Sequence, residues 1–218
     1  MTQVTVSAFR VVPDFARGLV RDLRVRWALE ELGKPYDMNL IDFDDRQGTA
    51  YRALQPFGQV PAVEVDGAPM FETGAILFAL AEGTPLMAPG VGGRNVTLTW
   101  MFAALNTVEP DIALLSTNDF ARTDVAWTRD ARETLVGFIE RKLGVLDTTL
   151  ADRDYLAGSF TVADILMSTV LRFLNHTDLV AGFPNVAAYQ ARCESRPAFR
   201  RALDAQFADY DRPLVAAA

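Results

Sequence analysis

Residues 55–80 read Gln-Pro-Phe-Gly-Gln-Val-Pro-Ala-Val-Glu-Val-Asp-Gly-Ala-Pro-Met-Phe-Glu-Thr-Gly-Ala-Ile-Leu-Phe-Ala-Leu. Val60-Pro61 leads into a strand in which Ala62 to Val65 alternate, Asp66-Gly67 accepts the positive φ angles of a tight hairpin turn, and Met70-Phe71 begins the returning strand. That strand stops at Glu72-Thr73-Gly74. Thr73, a hydroxyl residue suited to capping, stands before the apolar run Ala75 to Ala81, so a helix is expected to start there with open backbone N–H groups.

A helix start beside a carboxylate suits a ligand that carries both charges. The N–H groups and the Thr73 hydroxyl attract an anion, while Glu72 can hold an ammonium a few ångströms away. An amino-acid head group has that pair of charges. If the Val60-Pro61 bond is cis, Val60 can turn its own N–H and C=O toward a peptide-like guest.

Working outward, Val4 to Phe9 alternates and predicts a first strand. Leu19, Leu23 and Trp27 recur at four-residue spacing, and Gly33-Lys34-Pro35 ends the helix they mark. Tyr36 to Ile41 predicts a second strand, followed by a polar segment with one short helix. The order β-α-β, then β-β-α, calls for a parallel strand pair joined to an antiparallel hairpin. Glu82 to Arg94 is dense in Gly and Pro and is expected to be a linker at 83–94. Beyond it the pattern is helical, with Pro184 and Pro197 near helix starts, where the missing N–H costs nothing. The domain expectation is 1–82, then 95–218. Thr161-Val162-Ala163-Asp164 is a capping box that opens an apolar helix, with Phe160 placed to staple Ile165.

The chain has 218 residues, half of them hydrophobic, enough for a substantial core. A formal net charge of −7 argues against a nucleic-acid partner, and no apolar run approaches the ~20 residues of a membrane span. No basic-then-apolar leader follows Met1, so a cytoplasmic protein is expected. One cysteine, Cys193, excludes an internal disulfide, and one histidine, His176, argues against a zinc cluster or a serine-histidine triad. Packing roles are expected for both.

Gly58-Gln59-Val60-Pro61, Asp66-Gly67 and Glu72-Thr73-Gly74-Ala75-Ile76 together resemble the glutathione-binding half of the cytosolic, bacterial-type glutathione S-transferases. The box at 158–165, with Phe183-Pro184-Asn185 and Arg196-Pro197-Ala198-Phe199, resembles their helical half. The resemblance implies an α/β plus all-α fold, with an N-terminal thioredoxin-like domain followed by an all-helical C-terminal domain. It implies glutathione as co-substrate, without a metal, and a small electrophile as its partner in the reaction. By the same resemblance Pro61 follows a cis bond, Val60 pairs through its backbone with the cysteinyl part, Glu72 and Thr73 hold the γ-glutamyl group, and Gln59 lies near the glycine carboxylate. A homodimer is implied too. Phe57 stands where several relatives insert an aromatic into the partner, and a large aromatic in a surface connection is costly unless covered.

The chemistry departs from this pattern at one place. Relatives carry a Tyr, Ser or Cys after the first strand to stabilise the thiolate, yet Ala8 to Lys34 holds no Ser, Thr, Tyr or Cys. What that segment holds is Arg10, Asp14, Arg17, Gly18 and Arg21. Arg17 and Arg21, with the N–H groups of Gly18 to Val20, are the candidates for lowering the thiol pKa, while Thr5 and Ser7 are expected on a buried strand face. Trp100, Phe102, Leu105 and Phe120 are candidate walls for the electrophile. A glutathione-binding carrier without turnover is the alternative. A thiol-disulfide oxidoreductase would need a cysteine that this loop lacks.

Overall fold

A computed structural model describes residues 3–211. They form two compact units, residues 3–80 with 197–211, and residues 81–196.

In the first unit a four-stranded sheet has the order β2-β1-β3-β4. β1 (Val4–Phe9) pairs in parallel with β2 (Asp37–Ile41), and antiparallel with β3 (Ala62–Val65), which pairs antiparallel with β4 (Ala68–Phe71). Strand, helix, strand is thus a parallel crossover, as the pattern predicts. Asp66 (φ 49°) and Gly67 (φ 80°) both take left-handed backbone in the hairpin turn, the conformation for which Asp-Gly is suited.

α1 (Asp22–Glu31) carries Leu23, Val25, Trp27, Ala28 and Leu29, all no more than 2% exposed. The four-residue stripe predicts one buried face. Here Asp22, Arg24 and Arg26 are buried as well. For Asp22 and Arg26 the cause is α9 (Pro197–Tyr210), whose Gln206 and Asp209 meet them, whereas Arg24 is turned to Thr73. α9 also sets Phe199 edge-on to Trp27 at 4.8 Å between ring centroids and pairs Arg201 with Glu30 at 2.7 Å. Division at 82 and 95 groups α9 with the other helices, whereas its packing groups it with the sheet. α2 (Thr49–Leu54) and α3 (Thr73–Ala81) complete this unit's helices.

The second unit is helical. α4 (Gly90–Phe102) begins inside the segment expected as a linker. Gly93 serves close approach: a Cβ there would lie 2.8 Å from the Ala88 carbonyl carbon. A wider π-helical stretch, Ala103–Val108, joins α4 to α5 (Glu109–Ala121). Pro110 has no N–H to continue the regular ladder, and the Lys142 ammonium caps the Thr107 carbonyl while pairing with Asp111. α6 (Ala126–Thr149), α7 (Val162–Leu171) and α8 (Pro184–Glu194) follow.

α7 is buried along its whole length and starts at the predicted capping box. The Asp164 carboxylate accepts from Thr161 N–H (2.8 Å), Leu156 N–H (3.0 Å) and Tyr189 O–H (3.0 Å). Phe160 packs against Tyr155 and under Arg196. His176 lies tilted against Phe120, 4.6 Å between ring centroids, and puts Nε2 3.0 Å from Asp119. Among the described residues no helix is long and apolar enough to cross a membrane.

Candidate functional site

The hairpin register builds the site. Ala62 pairs with Phe71, so Pro61 and Glu72, one step further out, adjoin the last paired residues of the two strands at the same end of the sheet. The Val60-Pro61 bond is cis. Two segments far apart in sequence, 59–61 and 72–75, thereby meet at one end of the sheet.

Glu72 is exposed and holds φ 70°, left-handed backbone that a non-glycine residue seldom adopts. Its carbonyl accepts the first bond of α3, from Ile76 N–H at 2.9 Å. Glu72 is therefore the cap residue, and Thr73, expected in that role, is the first helical residue. The N–H groups of Thr73, Gly74 and Ala75 precede that first bond and have no partner within the helix. Thr73 is 7% exposed, and its hydroxyl accepts from the buried Arg24 guanidinium at 3.3 Å. That arginine is a positive charge behind the helix start. The only sign of it in the sequence is a basic residue inside the apolar stripe of α1.

Val60 packs its side chain with Ile41 and Tyr51, and Phe9, Val20 and Leu54 pack against that cluster. Among the described residues neither the N–H nor the C=O of Val60 has a hydrogen-bond partner. Gln59 is exposed, and its carbonyl accepts from the Tyr51 hydroxyl at 2.7 Å. Gly58 has φ 64°, and a Cβ there would lie 2.7 Å from the Arg46 carbonyl oxygen, so this turn requires glycine.

The loop after β1 runs through a short 3-10 turn, Asp14–Ala16, and Gly18 at φ 76°. Arg10 is turned to β2, where it donates to the Leu40 carbonyl and pairs with Asp42. Arg17 is turned to α9: it pairs with Asp211 at 2.7 Å, and its guanidinium lies 5.0 Å from the Phe207 ring centroid and 5.5 Å from that of Tyr210. Arg21 is exposed at the start of α1. Gln206 of α9 donates to the Val20 carbonyl (3.2 Å) and the Asp22 carboxylate (2.8 Å), and Arg26 bridges Asp22 and Asp209. Val20, in the turn before α1, shares the Val60 cluster, so the start of α1 adjoins the unpaired Val60 backbone.

Ser7 is 3% exposed and bonded to Ala62, a strand-face role rather than an open donor. Cys193 is fully buried and burial pushes its thiol well above its ordinary pKa, so it is no nucleophile. Of the candidate electrophile walls, Phe102 is exposed and Trp100, Leu105 and Phe120 are half-buried. Among the described residues no group of His, Cys, Asp and Glu is arranged to hold a metal ion.

Two family models match: glutathione S-transferase, N-terminal domain, over residues 23–82, and glutathione S-transferase, C-terminal domain, over 110–197. Glutathione S-transferase GstA of Escherichia coli O157:H7 is 31% identical over 188 residues, covering 82% of this chain and 90% of that one. The chain belongs to the glutathione S-transferase family. A solved glutathione transferase of Burkholderia graminis, described with two glutathione molecules per subunit, is 30% identical with TM-score 0.78, covering 93% of this chain and 88% of that one. Elongation factor 1-gamma of Prunus avium is also similar, 29% identical over 182 residues, 79% of this chain and 42% of that protein. The family's two-part architecture, thioredoxin-like sheet unit then helical unit, is the one described above.

Proposed function

We propose that this protein binds glutathione at the 59–61 and 72–75 junction and adds its thiolate to an electrophilic small molecule in the cytoplasm. The observation that carries the reading is the register, which sets Glu72-Thr73 beside Val60-Pro61. The Glu72 carboxylate takes the γ-glutamyl ammonium, and the open N–H groups of Thr73 to Ala75 take its carboxylate. The unpaired N–H and C=O of Val60 pair with the cysteinyl residue, and Gln59 lies toward the glycine carboxylate. The related Burkholderia graminis transferase, described with glutathione bound, supports the choice of ligand.

Bringing a thiol from ~8.5 to ~7 takes about 2 kcal/mol, within reach of one charge-assisted hydrogen bond. The turn before α1 supplies it. Val20 lies against Val60, the N–H groups opening α1 carry the positive end of its dipole, and Arg21 stands at the same helix start. Arg17 contributes through its hold on α9, because Asp211 offsets its own charge. The thiol proton leaves to solvent, and the sulfur lone pair forms the new bond to the electrophilic carbon as the leaving group or π-electron pair departs.

Calorimetric titration with glutathione, followed by conjugation assays over a panel of electrophiles, tests the reading. Binding with turnover is expected. Binding without turnover on any electrophile establishes the second reading, a glutathione-binding carrier, which the lack of any Ser, Thr, Tyr or Cys from Ala8 to Lys34 favours. No binding refutes both.

The protein is further proposed to form a homodimer. Phe57 is 66% exposed despite an edge-on contact with Phe71 at 6.1 Å. A second copy covers the remaining apolar surface.

A further inference from the structure

We infer that Tyr51 and Ser7 are positioning residues that aim the Val60 backbone at the cysteinyl part of glutathione. The inference rests on the binding site proposed above. Tyr51 Oη donates to the Gln59 carbonyl (2.7 Å) and lies 2.9 Å from Ser7 Oγ. Ser7 Oγ accepts from Ala62 N–H at 2.6 Å and stands 3.0 Å from the Ala62 carbonyl. The two hydroxyls therefore grip the turn at both ends, at residues 59 and 62.

Peptide geometry converts that grip into aim. In a trans peptide the C=O and N–H point in opposite directions. Holding the Gln59 carbonyl toward the buried hydroxyls points the Val60 N–H of the same peptide away from them. Holding the Ala62 N–H likewise points the Pro61 carbonyl outward. The Val60 carbonyl sits between two peptides whose orientations are both set. Three of the four groups that make this grip are buried: Ser7 and Ala62 are 2–3% exposed and Tyr51 is 5%.

Neither hydroxyl is placed to act on the sulfur itself. Tyr51 has one proton, committed to Gln59, and that of Ser7 goes to the Ala62 carbonyl or Tyr51 Oη. Burial also raises the Tyr51 phenol above its ordinary value, which keeps it neutral and donating. Their effect on glutathione passes through the main chain alone.

The test is calorimetry with glutathione on the full chain, Tyr51→Phe, Ser7→Ala and the double variant, with the Val60 amide followed by ¹⁵N NMR. Each single variant is expected to raise Kd about five- to tenfold. Stoichiometry, which counts folded sites, stays unchanged. The double variant loses about as much as one single variant rather than the product, because both act on one turn. Glutathione moves the Val60 amide resonance in the wild type and moves it less in each variant. An unchanged Kd, a Kd that rises with the Val60 response intact, or a fall in stoichiometry alone each overturns the positioning role. A wild type that does not bind glutathione refutes the site and this inference with it, whereas binding with insensitive variants refutes only the inference.

Discussion

Replacing Glu72 by glycine should make the protein more stable and a worse binder of glutathione at once. Glu72 holds φ 70°, and a side chain in left-handed backbone costs about 1–2 kcal/mol. Glycine removes that cost and returns about 0.4–1 kcal/mol through the greater freedom of the unfolded chain. The net gain is ~0.5–1 kcal/mol, or roughly 1–4 °C in Tm for a chain of this size. The Glu72 carboxylate is exposed and engaged in no ion pair among the described residues, so its loss subtracts little. Binding moves the other way: losing the ion partner of the ligand ammonium costs ~1–3 kcal/mol, a five- to 150-fold rise in Kd. Glu72→Ala separates the two effects, since alanine keeps the backbone cost and stays near wild-type stability while losing the same affinity. Thermal unfolding without ligand and calorimetry with glutathione read both. A glycine variant less stable than wild type refutes the strain argument, and an unchanged Kd in both variants refutes the head-group assignment.

Arg21→Ala should raise the pKa of bound glutathione, read as thiolate absorbance against pH, and Arg17→Ala should raise it less because that guanidinium is turned to Asp211 and the Phe207 ring, away from the start of α1; equal pKa values in both variants and wild type would remove the arginines from activation. Phe57→Ala should raise the dimer dissociation constant at least about tenfold, the worth of a buried aromatic anchor. Sedimentation at low micromolar concentration decides this, and a monomeric wild type ends the dimer proposal. Burial acts to raise the Asp119 carboxyl, but the bonds from Arg132 and His176 outweigh it and hold its pKa below the ordinary 3.8. Its contribution to stability is thus present above the unfolded value and lost as pH falls through the folded one. Asp119→Asn should therefore cost ~1 kcal/mol near neutrality, with the gap closing below about pH 4 in urea titrations; a gap independent of pH would count against this linkage.

Elements set by short-range rules are legible in the sequence. Asp66-Gly67 names its own turn because few residue pairs accept two positive φ angles, and Thr161 with Asp164 names a helix start because the two groups satisfy each other across three residues. The order of strands and helices then leaves one parallel crossover and one hairpin, and the Val60-Pro61 and Glu72-Thr73 motifs point to the ligand class. Everything that depends on which distant segment covers a side chain needed the tertiary structure. Two of the three buried charges in α1, Asp22 and Arg26, are met by Gln206 and Asp209 of α9, some 180 residues later, and the third, Arg24, by the Thr73 hydroxyl. Arg17, which from sequence is one loop cation among several, is drawn to Asp211 and the Phe207 and Tyr210 rings by that same helix. Tyr51 reads as one more aromatic on a short helix until the fold places its hydroxyl between Ser7 and Gln59. Periodicity records which face of an element is apolar. It carries no record of the partner that face or its polar neighbours will meet, since that partner is fixed by the packing of the whole unit.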